Sequence, residues 1–365
     1  STLAMNIDKG LMGMINQHSW MFLSSYEKLR SHILDNYGIV NMLHLGPRTF
    51  EELSGEVVQS TAFVLKNDKG VDKGIYFRLV EYKNIDDKEK HFLNGHNKYS
   101  NFPKIKFSEI PGRPLGYWLS DKYRELISEQ NLGDFTKPRQ GLITGDNGRF
   151  VRSWYEISIN KFENKWFPFN KGGEYRKWYG NHEEVVNWKN DGEEVKNFFD
   201  SKGKLRSRPQ NLKYYFNRGI SWTKVGSGDF SVRLFDERFI FSDAGMMCFP
   251  DSSELNSLLA IMNSGISNHV IKSLNPTLNK NIADIIRLPV VFPKDKEMVN
   301  ILVEKSIMIS KVDWDSKETS WDFGYSTLLN ETRTIEDAYL TWKEKVAQDF
   351  FQLNANEEEL NRIFI

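Results

Sequence analysis

The feature that most constrains the fold is an alternation of short apolar runs with one helical pattern near the start of the chain. Residues 11–15 form a nearly continuous apolar run, which is typical of a strand buried on both faces. Apolar residues then recur at three- and four-residue spacing over residues 26–37, which predicts a helix. Residues 39–45 and 61–65 are two further buried-strand candidates. A strand–helix–strand order of this kind predicts a parallel sheet with covering helices.

Local signals bound the predicted helix on both sides. Ser24 and Glu27 form a capping-box pattern, in which each side chain accepts a hydrogen bond from the backbone amide of the other. Gly38 is a natural C-terminal stop. Because about 70 residues are too few to close such a sheet, we interpret residues 1–70 as part of an α/β layer whose first half is missing. We expect an exposed strand edge where the first half of the sheet is missing.

The rest of the chain divides by composition into three further stretches. Residues 71–140 carry mixed signals and are predicted to be a connector. Residues 141–293 are rich in glycine, asparagine and aromatic residues with short strand candidates, which predicts a compact, loop-rich α+β domain. Residues 294–365 show a mainly helical pattern. The expected fold class is therefore α+β, with a partial α/β layer, a loop-rich α+β domain and a helical C-terminal region.

Composition limits the classes of function. The chain of 365 residues has 49 basic and 49 acidic residues, so any surface for a polyanion must be a local patch. Its single cysteine, Cys248, excludes a disulfide framework or a cysteine metal cluster within one chain and fits a reducing compartment. No apolar run approaches the length of a membrane span and no basic-then-apolar leader is found. We therefore expect a cytoplasmic protein without a membrane partner.

A search for catalytic motifs in the sequence fails. The seven histidines are scattered, and the closest pair, His91 and His96, has neither the i,i+4 spacing nor the carboxylate motif of a zinc site. The sequence contains no Gly-x-Ser-x-Gly elbow and no phosphate-binding P-loop. We therefore predict no catalytic, cofactor-binding or metal-ligating residue, and an intact hydrolase has no supporting cluster.

Two segments combine cations with aromatic residues, as nucleic-acid-binding surfaces do. The first, residues 202–224 (the basic segment), contains no acidic residue and interleaves tyrosine, phenylalanine and tryptophan with its cations. The second, residues 165–179 (the aromatic segment), contains a Lys-Gly-Gly sequence whose bare amides and ammonium can contact a phosphate. The predicted DNA-binding residues in these two segments are Lys171, Arg176, Lys177, Arg206, Arg208, Arg218 and Lys224.

Each segment also has a purely structural interpretation. The basic segment can be a flexible, solvated loop on a neutral protein, because charge runs are usually just solvated. The aromatic segment can be a hairpin core with solvated charges. On composition alone, these structural interpretations and DNA binding all stay open.

Longer stretches resemble the PglX adenine-specific DNA methyltransferases of BREX phage-defence systems, and more broadly the fused type II restriction-modification methyltransferases. The stretches that carry the resemblance are residues 10–30, 55–65, 144–150, 165–179, 275–279, 284–285, 288–289, 318–323 and 356–365. The resemblance implies that the first two are strands following the catalytic loop. It also implies that the middle stretches open and close a target-recognition domain, and that the last two belong to a helical C-terminal region.

The same resemblance implies motifs that this sequence lacks. Such enzymes bind S-adenosylmethionine through a glycine-rich loop and hold a flipped adenine with an Asn-Pro-Pro-Tyr motif. Here Asn275-Pro276 is followed by Thr277, so that motif is missing. We therefore expect an internal or C-terminal piece of a longer enzyme that uses S-adenosylmethionine, while this chain alone is inactive and binds no cofactor. Its expected role is recognition of double-stranded DNA by residues 141–293 within a DNA adenine-N6 methyltransferase.

An alternative of a different class is a protein–protein interaction scaffold within a defence complex. The zero net charge and the 13% aromatic content support it, because exposed aromatic side chains favour protein interfaces. Other proteins of the defence system are then the partners. Salt dependence separates the two hypotheses, since binding to phosphates weakens steeply as the salt concentration rises.

Overall fold

A computed structural model describes residues 9–50, 58–226, 228–275, 277–329 and 332–364. The chain divides into two units, the first made of residues 1–129 with 273–277 and the second of residues 130–272 with 278–365.

The first unit contains a five-stranded mixed sheet with the spatial order β1-β3-β2-β4-β5. Its strands are β1 (Leu11–Gln17), β2 (Gly38–Gly46), β3 (Ser60–Lys66), β4 (Lys73–Arg78) and β5 (Lys98–Pro103). Strand β3 is antiparallel to β1 and β2, β2 is parallel to β4, and β4 is antiparallel to β5. The expectation of a parallel sheet is therefore wrong for most of these strands, because β3 returns antiparallel between the two strands that flank the first helix.

Strand β1 lies at one edge of this sheet. It pairs with β3 on one side, and no other described strand pairs with it. Most of its residues are exposed, including the apolar Leu11, Met14 and Ile15. An exposed strand edge therefore lies in the stretch where one was expected, but the interpretation of residues 11–15 as a strand buried on both faces is wrong, because β1 lies at the edge of the sheet and most of its residues are exposed.

The helices of the first unit cover the sheet and close its core. They are α1 (Glu27–Asn36), α2 (Ile85–Leu93) and α3 (Asp121–Ser128), with 3-10 turns at His18–Met21, Ser24–Tyr26 and Lys104–Glu109. Strand residues such as Met42 and Phe63 pack with Trp20 and Leu34 in one buried cluster. The predicted capping box is wrong, because Ser24 begins a 3-10 turn and α1 starts at Glu27 without a side-chain cap.

The second unit contains two small sheets. The strands are β6 (Val151–Ser153), β7 (Trp166–Asn170), β8 (Glu184–Asn187), β9 (Gly219–Thr223), β10 (Val232–Phe235), β11 (Ile240–Phe241) and β12 (Gly245–Cys248). One sheet has the order β11-β7-β8-β6 and the other β10-β9-β12. Phe150, Phe169, Val186, Phe235 and Phe241 belong to one buried cluster that draws on both sheets and the turns beside them.

Short helices surround these sheets, and two long helices follow them. They are α4 (Leu132–Phe135), α5 (Asn147–Phe150), α6 (Lys189–Lys196), α7 (Leu255–Asn263), α8 (Gly265–Leu274), α9 (Ile282–Ile285), α10 (Lys296–Asp315) and α11 (Ile335–Phe364), with 3-10 turns at Trp154–Glu156, Ile159–Lys161 and Leu212–Tyr214. Helix α10 packs against both α7 and α11. The mixed α+β class is thereby confirmed.

Candidate nucleic-acid interface

The cations of the aromatic segment form contacts inside the second unit. Lys171 follows β7 and forms an ion pair with Glu184, with 2.9 Å between Nζ and Oε1. Lys177 forms an ion pair with Glu357 of α11, with 2.7 Å between Nζ and Oε2. The indole Nε1 of Trp178 donates a hydrogen bond of 2.7 Å to the other oxygen of the same carboxylate. These two lysines are therefore neutralised by carboxylates of their own unit.

Arg176 is held against helix α10. Its guanidinium forms an ion pair with Asp313, and its Nε donates to the carbonyl oxygen of Tyr179 at 3.0 Å. The guanidinium carbon lies 5.0 Å from the ring centre of Trp314, and the side chain is 21% exposed. Arg176 therefore joins the aromatic segment to the long helix, which is a structural role.

The last cation of the basic segment is also paired. Lys224 Nζ lies 3.5 Å from Oδ2 of Asp243, and its backbone amide donates to the carbonyl oxygen of Ala244 at 2.8 Å. Four of the seven predicted residues thus have a carboxylate partner: Lys171, Arg176, Lys177 and Lys224.

The three remaining predicted residues are exposed arginines. The guanidinium of Arg206 donates to the carbonyl oxygen of Gly145 at 3.4 Å. Within the part of the chain that the structure describes, the side chains of Arg208 and Arg218 have no ion-pair or hydrogen-bond partner. These guanidinium groups are accessible to an external anion.

Hydrogen bonds join the basic segment to residues 140–145. Ile143 and Arg208 each donate their backbone amide to the carbonyl oxygen of the other, at 3.1 and 2.7 Å. The side-chain amides of Gln210 and Asn211 donate to backbone carbonyls of the facing segment at 3.0 and 2.8 Å. This ladder places the basic segment beside residues 140–145, which have Arg139 and Arg149 on either side in the sequence, although about 65 residues separate the two segments.

A glycine allows these segments to approach each other. Gly145 has a φ of +77°, and a Cβ atom there would lie 2.7 Å from the carbonyl carbon and oxygen of Arg206. A larger residue at this position would therefore strain its own backbone and clash with the carbonyl group of Arg206. Directly after this turn, Asp146 caps α5 by accepting a hydrogen bond of 3.1 Å from the amide of Arg149. The turn thus positions Arg149 beside the basic segment.

Arg149 and Arg206 lie over the ring of Phe198. Their guanidinium carbons are 5.1 and 5.0 Å from the ring centre, which is within the range of cation–π attraction. Phe198 packs edge to face on the buried ring of Phe150, with 5.1 Å between the ring centres. The aromatic ring therefore fixes two exposed arginines to the core. Glu194 lies 4.0 Å from Arg149, so this arginine is weakly paired.

A second group of cations surrounds Tyr214. The Nη2 atom of Arg139 donates to the Tyr214 hydroxyl at 3.2 Å, and Lys213 Nζ lies 5.2 Å from the ring centre. The hydrogen bond from Arg139, together with the charges of Arg139, Lys213 and Lys137, lowers the pKa of the Tyr214 phenol. The lowered pKa indicates a locally positive potential.

We call these neighbouring cations the cation face, and its members are Arg139, Arg149, Lys202, Lys204, Arg206, Arg208 and Lys213. Two acidic residues near them, Asp146 and Asp200, accept hydrogen bonds from backbone amides, whereas Glu194 lies 4.0 Å from Arg149. Asp200 accepts from the amides of Lys202 and Lys204, each at 2.9 Å. Sequence reasoning selected two members, Arg206 and Arg208. Arg139 and Arg149 were missed because they precede the basic segment by about 60 residues, and the motif at residues 144–150 was the available signal.

The described residues contain no cluster of three metal-ligating side chains. Cys248 is buried in β12, and burial raises the pKa of its thiol to about 12. A thiol of this kind stays protonated at neutral pH and is a poor nucleophile. Among the helices that the structure describes, none has the length and apolar character needed to cross a bilayer.

The fold is similar to that of restriction-modification enzymes. The structure of the Type IIL restriction-modification enzyme MmeI in complex with DNA matches 98% of this chain and 48% of that chain, with a TM-score of 0.54. The sequence identity is 12%, so this likeness is one of fold. No known protein-family profile matches the chain.

The sequence is similar to adenine-specific methyltransferases. PglX of Lacticaseibacillus casei (strain Zhang) is 39% identical over 385 residues, and BrxX of Escherichia coli O9:H4 (strain HS) is 37% identical over 368 residues. Both matches cover 98% of this chain, which spans 32% and 30% of the length of the two relatives. The resemblance to PglX-type methyltransferases that the motifs predicted is thereby confirmed.

Proposed function

We propose that this chain recognises duplex DNA through the cation face, as the target-recognition part of an adenine-specific DNA methyltransferase of a phage-defence or restriction-modification system. The observation that carries the proposal is the difference in pairing between cations. Lys171, Arg176 and Lys177 of the aromatic segment are bound by carboxylates, whereas Arg206 and Arg208 are exposed without one. An unpaired cation that binds a phosphate releases counterions condensed on the DNA, and no ion pair within the protein must be broken.

The backbone of the cation face can hold its arginines in fixed positions, which sequence-specific recognition of DNA requires in addition to electrostatic attraction. Arg208 lies on the hydrogen-bonded ladder with Ile143, and Arg206 is fixed over Phe198. Because these arginines project from ordered backbone, their guanidinium groups can keep one register on the duplex. Phosphate contacts set that register, and arginine is the best reader of guanine because its fork matches the O6 and N7 acceptors. The relatives named as adenine-specific methyltransferases support this role.

Methyl transfer is assigned to the full-length protein and not to these residues. In a methyltransferase, S-adenosylmethionine supplies the methyl group. The described residues do not fit this cofactor. Strand β1 runs directly into the turn His18–Met21, which is mostly buried and contains no glycine, so it offers no cradle for a nucleotide. We therefore limit the proposed role of this chain to DNA recognition.

A second candidate function, docking of other proteins of a defence complex, is favoured by helix α11. Tyr339, Val346 and Phe350 of this helix are exposed. A groove of about 470 Å³ lies between α11, α10 and residues 175–178. Exposed apolar surface of this kind is typical of protein interfaces. The groove is separate from the cation face in its residues, so the two functions can be tested independently.

The test of DNA recognition is a triple substitution, Arg149→Ala, Arg206→Ala and Arg208→Ala, in the full-length protein. Duplex binding is measured by fluorescence anisotropy at two salt concentrations. Each lost phosphate contact lowers the slope of log affinity against log salt by about 0.9, so we expect a loss of up to about three units. The matched control removes three exposed lysines of the helical region, Lys294, Lys305 and Lys343, and leaves the slope unchanged. Equal effects in both variants, or none, would contradict the proposal and favour docking.

A further inference from the structure

A hairpin at the edge of the cation face carries apolar side chains at its tip. Phe199 and Leu205 face each other across the hairpin as antiparallel partners, and they are 51% and 40% exposed. Directly opposite residues of an antiparallel pair lie on the same face of the ribbon. The neighbouring Phe198 packs on the core, and successive side chains of a strand alternate in direction. Phe199 and Leu205 therefore form one apolar patch on the face of the ribbon opposite to Phe198 and Arg206.

The turn of this hairpin is fixed by its own hydrogen bonds. The amide of Asp200 donates to the carbonyl oxygen of Lys204 at 2.9 Å. The Asp200 carboxylate accepts from the amides of Lys202 and Lys204, each at 2.9 Å. Gly203 has a φ of +76°, which is the left-handed conformation that glycine adopts without strain. The apolar tip is thus held in shape without help from any partner.

The base of the hairpin is anchored in the second unit. The amide of Arg206 donates to the carbonyl oxygen of Phe198 at 2.8 Å, which closes the ribbon. The buried Ser207 donates its hydroxyl to the carbonyl oxygen of Val195. Because Phe198 also packs on Phe150, a force on the tip is carried to the core and does not bend the loop. This rigidity is what an inserted side chain requires.

Positively charged residues lie in the turn of the hairpin and on its returning strand. Lys202 and Lys204 lie in the turn, and Arg206 follows on the returning strand. Within the described part of the chain, neither lysine has an acidic side-chain partner. An apolar protein surface would meet this tip without neutralising the cations. Duplex DNA can bind both the apolar side chains and the cations, because each nucleotide has an apolar base face and a charged phosphate.

We propose that Phe199 and Leu205 form an apolar wedge that enters between neighbouring base pairs of duplex DNA, while Lys202 and Lys204 contact the flanking phosphates. This proposal rests on the DNA recognition proposed above. Apolar wedges of phenylalanine and leucine unstack a base step and kink the duplex, and burial of their surface offsets the cost of unstacking. The wedge makes an uncharged contact with DNA, so its loss should weaken binding without changing the salt dependence. Loss of a residue of the cation face should change the salt dependence.

The test is the double substitution Phe199→Ala and Leu205→Ala in the full-length protein. Duplex affinity is measured at several salt concentrations, and bending is measured by energy transfer between dyes at the two ends of the duplex. Loss of base stacking is expected to weaken binding about 5- to 150-fold. The salt slope stays unchanged because no cation is lost, and the bend disappears. The matched control is Ile159→Ala, an apolar side chain that is 70% exposed on another turn of the same unit, and it changes neither quantity.

Two further variants keep the result interpretable. Phe199→Trp retains an aromatic face and is expected to keep both affinity and bend. Lys202→Ala with Lys204→Ala is expected to lower the salt slope by about two units. If the double alanine variant binds and bends DNA as the unchanged protein does, while the triple arginine variant loses binding, the wedge is overturned and DNA recognition stands. If neither variant affects DNA binding, DNA recognition itself fails. Loss of a protein partner without loss of DNA binding would assign the tip to a protein contact.

Discussion

The basic segment carries seven cations and no acidic residue, whereas the aromatic segment carries four cations and one acidic residue, and their cations are in different states. In the aromatic segment Lys171, Arg176 and Lys177 are each bound to a carboxylate of the same unit. In the basic segment Arg206 and Arg208 are exposed and have no carboxylate partner among the described residues. The comparison teaches that a cation indicates a binding surface only where no internal carboxylate already neutralises it.

The two segments also differ in what their aromatic residues do. In the aromatic segment Trp178 is buried and donates to the carboxylate that pairs with Lys177. Phe198, just before the basic segment, and Tyr214, within it, lie beneath exposed cations. The aromatic rings of the aromatic segment hold helices to strands. Those of the basic segment and its neighbourhood lie under a charged surface. The predictions that follow test whether this division of roles is complete.

The largest expected effect is on folding stability. Arg176→Ala removes the ion pair with Asp313, the hydrogen bond to Tyr179 and the contact with Trp314. Because hydrogen bonds to charged groups are strong, we expect the free energy of unfolding to fall by about 2–3 kcal/mol. Arg208→Ala is the control and is expected to change it by less than about 0.5 kcal/mol. Urea unfolding of both variants checks this prediction. An equal decrease in the free energy of unfolding of the two variants would contradict the structural role of Arg176.

The next expected effect separates base contacts from phosphate contacts among the exposed arginines. Arg208→Ala and Arg218→Ala are each made in the full-length protein, and binding is measured on cognate and unrelated duplexes. A base contact costs about 1–3 kcal/mol on the cognate site only. A phosphate contact weakens binding on every sequence and lowers the salt slope by about one unit. If neither substitution changes affinity or site choice, exposure alone is not a sufficient criterion for DNA contact.

The sequence predicts only those features of the site that depend on residues close together in the chain. The basic segment is contiguous, so its freedom from acidic residues is visible in the sequence. The partner of Lys177 is Glu357, 180 residues away, and no local pattern reports that pairing. Arg149 joins Arg206 only because the ladder at Ile143 brings their segments together. Long-range pairing therefore decides which cations are available, and sequence spacing does not contain it.

The fold shows the same limit. The strands at residues 11–17, 38–46 and 60–66 lie where the apolar runs predicted them, although the first of them is mostly exposed. Their pairing was not predictable, since β3 lies between β1 and β2 and runs antiparallel to both. An apolar run therefore marks a strand but identifies neither its burial nor its neighbours. The boundaries at residues 70, 140 and 293 stay predictions.

A buried histidine beside the aromatic segment provides a pH test of how tightly that region is packed. His182 is surrounded by aromatic rings, including Tyr179, Phe235, Phe239 and Trp321. Neither ring nitrogen has a hydrogen-bond partner among the described residues. Burial first, and then the charges of nearby arginine and lysine side chains, hold its pKa well below 6.5. The histidine is therefore neutral in the folded protein.

The third prediction is that acid destabilises this packing through His182. The unfolded chain binds a proton at His182 near pH 6.5, whereas the folded chain does not. The free energy of unfolding is therefore highest above that pH. It decreases below that pH by up to about 1.4 kcal/mol for each pH unit. His182→Phe keeps a ring and removes the titration, so its unfolding free energy is expected to vary less between about pH 6 and pH 5. The buried His18 and His44 contribute equally to both proteins, and the difference isolates His182.

The smallest expected effect concerns Lys171, whose side chain is the most exposed of the three paired cations in the aromatic segment. The side chains of Lys171 and Glu184 are 35% and 31% exposed, so Glu184→Gln should lower the free energy of unfolding by less than about 1 kcal/mol. The released ammonium lies outside the cation face, and we expect the salt slope of DNA binding to stay unchanged. Asp349→Asn, which releases Lys345 on helix α11, is the matched control. A slope that steepens by about one unit for Glu184→Gln alone would mean that the aromatic segment also meets phosphate once its carboxylate is removed. The two segments would then form one DNA surface that internal pairing keeps partly covered.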